Sequence, residues 1–78
     1  MNLILDMQFL HITSDSSVLN GKPVIKGTRI SVEIIMEWII SGATIKKIYQ
    51  KYPQLPQGGV EEALKYAAQF SKNEILIN

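Results

Sequence analysis

The sequence predicts a mainly α-helical single domain: a bundle of three helices, preceded by short N-terminal strands and assembled as a homodimer. Three observations carry that prediction. Apolar residues recur at helical spacing in three stretches between 31 and 72, each bounded by capping or breaking residues. Residues 1–30 instead alternate apolar and polar side chains or gather turn-formers. Finally, 46% of only 78 residues are hydrophobic, whereas a chain this short buries about 60–65% of its unfolded surface. That excess of apolar surface predicts the dimer.

Leu3, Leu5, Met7 and Phe9 alternate with Ile4, Asp6, Gln8 and Leu10, the period-two pattern of a strand with one buried face. His11-Ile12-Thr13 extends it, and Ser14-Asp15-Ser16-Ser17 and Asn20-Gly21 form turns. Such a strand exposes an edge unless something pairs with it, so Leu3, Leu5, Met7 and Phe9 are assigned to a dimer or partner interface. The segment Gly21-Lys22-Pro23-Val24-Ile25-Lys26-Gly27-Thr28-Arg29-Ile30 follows. Gly21 and Gly27 tolerate positive φ, and Pro23 suits the first residue or edge of a strand. Val24, Ile25 and Thr28, Ile30 read as two extended pieces around a Lys26-Gly27 bend. Arg29 is expected first to make a forked hydrogen bond to Asp15 or to backbone carbonyls, locking the ribbon onto the helices, and second to contact a phosphate or a partner's carboxylate. Lys22 and Lys26 face solvent.

Helix one starts at the N-cap Ser31 and stops at Ser41-Gly42. Its residues Val32, Ile34, Ile35, Met36, Trp38, Ile39 and Ile40 leave only Glu33, Glu37 and Ser41 as a polar stripe, which makes it central or interfacial. Trp38 is assigned to the core first and to a dimer or partner interface second. Helix two is capped by Thr44, carries Ile45, Ile48, Tyr49 and Tyr52 on one face, and ends at Pro53. Helix three begins between Pro56 and Val60 and buries Val60, Ala63, Leu64, Ala67 and Ala68, flanked by Tyr66 and Phe70. Asn73 stops it, and Ile75-Leu76-Ile77 reads as a short terminal strand. The single domain 1–78 thus divides into a ribbon (1–30), a three-helix unit (31–72) and a tail or strand (73–78).

Reactive chemistry is sparse. There is one histidine and no cysteine, and the Gly-Lys-Pro segment lacks the glycine pattern of a nucleotide loop. Glu33 and Glu37 share a helical face without a further metal ligand spaced to join them. No enzyme activity, metal or cofactor is therefore expected. Leu3-Ile4-Leu5 is interrupted by Asp6 and Gln8 with no basic region before it, and nothing approaches a span of about 20 apolar residues. The expectation is a cytoplasmic protein without membrane contact. The net charge of +1 requires any nucleic-acid contact to come from local clusters.

Helices two and three, joined by a brief connection after an apolar helix, suit a helix-turn-helix arrangement. Helix two would cross the phosphate backbone of double-stranded DNA while helix three enters a groove. Lys46, Lys47 and Lys51 form a basic face, read as lying opposite Tyr49 and Tyr52, that could contact phosphate. Helix three turns outward Gln57, Glu61, Glu62, Lys65, Gln69 and Lys72. Of these, Gln57 and Gln69 could pair with adenine and Lys65 could add a cation, while the two glutamates would repel phosphate. Solvated faces on an interaction module, with no nucleic-acid role, form the alternative reading.

His11-Ile12-Thr13-Ser14-Asp15, the Gly21 to Ile30 segment, Tyr52-Pro53-Gln54-Leu55 and Ala63-Leu64-Lys65-Tyr66-Ala67-Ala68 resemble the prokaryotic domain of unknown function 433 family over roughly residues 11–70. The resemblance implies a homeodomain-like or winged-helix fold preceded by short strands. It also implies an antitoxin role, neutralising a PIN-like ribonuclease toxin. The chain departs from the family pattern at Ser31, where proline is common, and at Lys46 and Lys47, where acidic residues are usual. Gln57-Gly58-Gly59 replaces a capped, acidic opening of helix three; if both glycines were helical they would cost about 0.5–1 kcal/mol each.

Overall fold

The computed structural model describes residues 9–77, and their side chains through Gln69. Leu3, Leu5 and Met7 of the predicted N-terminal strand lie outside the described residues. In order come β1 (Ile12–Thr13), a 3-10 turn (Leu19–Gly21), β2 (Val24–Ile25), α1 (Val32–Ile40), α2 (Ile45–Lys51) and α3 (Gly59–Ile77). A two-stranded ribbon thus precedes three helices, as the sequence predicts.

β1 and β2 pair antiparallel, with Ile12 opposite Ile25 and Thr13 opposite Val24. Pro23 sits at the strand edge, where only its carbonyl is used, accepting from Val32 N–H at 2.9 Å. The Lys26-Gly27 bend closes through Thr28: its backbone N–H and its hydroxyl both donate to the Ile25 carbonyl, at 2.9 and 2.7 Å. The same hydroxyl accepts from Ile30 N–H at 3.0 Å. Gly27 at φ 82° and Gly21 at φ 84° occupy the left-handed region that the turns require. Lys22 faces solvent, where its ammonium donates to Glu33 on α1 at 2.9 Å; that bond raises the Lys22 pKa.

Arg29 does not lock the ribbon. Asp15 accepts instead from the backbone N–H and the hydroxyl of Ser17, bonds that hold its carboxyl below the usual range. Arg29 is exposed, with no hydrogen bond or ion pair among the described residues. A side chain two residues away satisfies the aspartate before a distant guanidinium can, which is the ordinary advantage of a local Asx turn.

Ser31 caps α1 by accepting from Ile34 N–H at 3.0 Å. At the other end Gly42 adopts φ 107°; its N–H donates to Ile39, and Ala43 N–H donates to Trp38, both at 2.9 Å. That pair of bonds is a Schellman stop. Thr44 caps α2 through Lys47 N–H at 3.1 Å, and Pro53 follows the α2 C-cap residue Tyr52. The core gathers Ile25, Val32, Ile35, Ile48, Leu55, Val60 and Ala63, so ribbon, helices and the α2–α3 connection all contribute. α1 packs mainly on α3, yet buries only Val32 and Ile35 completely.

Two boundary expectations are corrected on α3. The helix passes Asn73 and continues to Ile77, so 73–77 is neither a tail nor a strand. No glycine or proline follows Asn73, and one asparagine costs a helix only about 0.7 kcal/mol. Ala68 is exposed rather than buried.

Ile35→Ala, at a side chain with 0% exposure, should cost about 2–5 kcal/mol, a large share of the stability of so small a domain. Ile40→Ala, at 78% exposure, should stay within about 0.5 kcal/mol. Urea unfolding of both variants checks the ranking, and equal losses would contradict this placement of the core.

Candidate functional site

The geometry of the site is set where α3 begins. Gly58 at φ 86° lies outside the helix, and its carbonyl accepts the first helical bond, from Glu62 N–H at 3.0 Å. Gly59 opens the helix against the ribbon: a Cβ there would stand 3.2 Å from Pro56 Cγ and 3.3 Å from Ile25 Cγ2. One glycine supplies a turn and the other a close approach, so the pair does not carry the helical cost expected of it.

The helix start has no side-chain cap of its own, and α2 provides one. Tyr49 Oη accepts from Val60 N–H at 3.1 Å and donates to Glu61 Oε1 at 2.6 Å. Burial, then the bond to Glu61, raises the Tyr49 pKa above its ordinary 10.0. On the next residue, Glu62 Oε1 accepts from the backbone N–H of His11 at 2.8 Å. The His11 imidazole stands 3.9 Å from the other carboxylate oxygen.

Glu61 is exposed, as the outward reading expects, while Glu62 is half-buried against the ribbon. What spacing did not show is that α2 and the ribbon both bond to that first turn. The charge of the two glutamates still complements the helix dipole.

The other surface residues are as exposed as the sequence implies: Lys46, Lys47 and Lys51 on α2, Gln57 before α3, and Lys65 and Gln69 along it. The lysine face is not, however, opposite Tyr52. Lys47 and Lys51 line one groove of about 280 Å3 together with Trp38, Ile48 and Tyr52. Trp38 is partly buried and stacks on Tyr52, with ring centroids 4.7 Å apart and planes within 4°. Lys51 Nζ lies 5.8 Å from the Tyr52 ring centroid. Tyr52 packs against the core, as its place on the apolar face of α2 implies, and from just beyond the last helical residue it also stacks on Trp38. A Trp and a Tyr either side of a Gly42 stop were the only available signal of that stack.

Phe9 is corrected too. It is 6% exposed and packs edge-on against Tyr66 at 5.3 Å, so it belongs to the interior of its own chain and not to an interface. A second groove of about 720 Å3 holds Asp15, Thr28, Arg29 and Gln54 and mixes charges of both signs. Among the described residues no three His, Cys, Asp or Glu side chains are grouped to hold a metal ion. No helix there is long and apolar enough to cross a membrane.

A family model described as Protein of unknown function (DUF433) matches residues 12–67, from β1 to near the middle of α3. No curated protein and no solved structure matches the chain.

Tyr49→Phe removes the cap and leaves Val60 N–H unpaired, which should destabilise the fold by about 1–3 kcal/mol at neutral pH. Because the folded-state pKa of Tyr49 is raised, the hydroxyl's contribution is complete below about pH 10 and is lost as pH climbs through the folded value. Unfolding of both proteins between neutral and strongly alkaline pH should show the wild-type advantage shrinking above pH 10; an advantage that grows there would contradict the cap.

Proposed function

The chain belongs to the family Protein of unknown function (DUF433), and from that premise we propose that it is a small antitoxin-like binding protein. It neutralises a PIN-like ribonuclease toxin, as the resemblance implies, and contacts double-stranded DNA through the α2–α3 unit to regulate its own expression. It works as a homodimer in the cytoplasm and needs no cofactor.

One observation carries the DNA half of this reading. Lys46, Lys47 and Lys51 on α2 are all exposed, as are Gln57 before α3 and Lys65 and Gln69 along it. Tyr49 ties the two helices together. Exposed ammonium groups on one helix suit phosphates, which release counterions on contact, while the amides on the other suit base edges.

The second reading is an interaction module with no nucleic-acid role. It is favoured by the aromatic groove at Trp38 and by Ile40, a large apolar side chain left 78% exposed at the end of α1.

Fluorescence polarisation with promoter DNA over a salt series separates the two. Three lysine–phosphate contacts predict a log–log slope near −2.7, at about −0.9 per contact. The Lys46→Glu, Lys47→Glu double variant should abolish binding at moderate salt. Absence of DNA affinity even at low salt would refute the regulator reading. The partner half is checked by purification from the host: a co-eluting small ribonuclease supports it, and repeated recovery of the chain alone counts against it.

A further inference from the structure

We propose that the groove beside the Trp38–Tyr52 stack is a docking site for an acidic segment of a partner protein, which seats one apolar side chain there between flanking carboxylates. The proposal does not depend on DNA binding, although Lys47 and Lys51 are common to both surfaces.

Size and chemistry select the occupant. At about 280 Å3 the groove falls just under the ~300–1,000 Å3 of pockets that hold a whole drug-sized ligand, so it suits a side chain or two. Its walls are the Trp38–Tyr52 stack, Ala43 and the buried Ile48, and its rim carries Lys47 and Lys51. From Trp38 to Val60 the sequence holds three lysines (46, 47 and 51) and not one acidic residue, within a chain whose net charge is only +1. Neither Lys47 nor Lys51 forms an ion pair among the described residues. An apolar floor inside an uncompensated cationic rim complements a segment that is apolar at its centre and anionic around it.

A nucleobase is the poorer fit. Trp38 covers one face of the Tyr52 ring, and the Lys51 ammonium stands 5.8 Å from its centroid, so a base would have to compete with both for that ring. Ala43 and Ile48 supply aliphatic walls, the surroundings of an inserted leucine or phenylalanine.

Trp38 is the only tryptophan, so its emission reports directly on occupancy of the groove. The full chain is titrated with a short peptide bearing a central phenylalanine flanked by glutamates. The comparison peptides replace the phenylalanine by alanine or the glutamates by lysines. Saturable change in Trp38 emission is expected with the first peptide, and affinity at least about tenfold weaker with either comparison peptide. The Lys47→Glu, Lys51→Glu double variant should lose about tenfold or more, both lysines being exposed so that the fold is kept. Lys46→Glu should not change peptide affinity, because Lys46 does not line the groove, although it weakens any DNA contact. No saturable response at millimolar peptide would overturn the proposal, as would an equal response to the lysine-flanked peptide. A tighter response to oligothymidylate than to the acidic peptide would also overturn it.

Discussion

The first turn of α3 is held from outside itself, and the remainder of the structure depends on that hold. A helix start leaves backbone N–H groups without intrahelical partners, and here the residues before it are Gln57, Gly58 and Gly59 rather than a capping Ser, Thr or Asp. The Tyr49 hydroxyl reaches across from α2 to accept from Val60 N–H and donate to Glu61. Glu62 takes the His11 N–H of the ribbon, and Gly59 lets Ile25 of β2 come within what would be Cβ contact. Ribbon, α2 and α3 therefore meet at one turn. In a domain without a disulfide and with a core of a few aliphatic side chains, such cross-links between elements carry more weight than in a larger one.

This arrangement also explains why the surface suits binding. Tyr49 fixes α2 relative to α3 by direct bonds, so the lysines of one helix and the amides of the other are presented in a set relationship. Preorganisation of that kind lowers the ordering cost of association. The acidic side chains near the turn help hold it together, while α2 itself carries lysines and no acidic residue. The aromatic groove lies beside that charge, at the junction that the Gly42 stop creates between α1 and α2. One helix thus serves two neighbouring surfaces, with Lys47 and Lys51 shared between them and Lys46 outside the groove.

What the sequence discloses is what local chemistry decides. Ser31, Thr44, Gly42 and Pro53 mark helix ends by their own hydrogen-bonding or steric properties, and each does so in the structure. Pro23, Gly27 and Thr28 similarly announce an edge residue and a bend. Asn73 is a weak local signal, and the helix overrides it. The contacts that stayed hidden are those between residues distant in sequence: Glu62 with His11, Glu61 with Tyr49, Tyr52 with Trp38. Spacing assigns such residues to a face but cannot say which neighbour that face meets. Arg29 fails for the opposite reason, since Ser17 reaches Asp15 first. The grooves needed the same tertiary information, and only their residue types, an aromatic pair and a run of lysines, were visible beforehand.

Amide hydrogen exchange at Val60 tests the trans cap most directly. Its N–H occupies the second position of α3, where an uncapped helix start exchanges readily, as frayed ends do. If Tyr49 holds it, Val60 N–H should be protected to the same degree as Ile48 N–H within the core-facing part of α2. Val60 exchanging as fast as an unpaired amide, while Ile48 stays protected, would contradict the account.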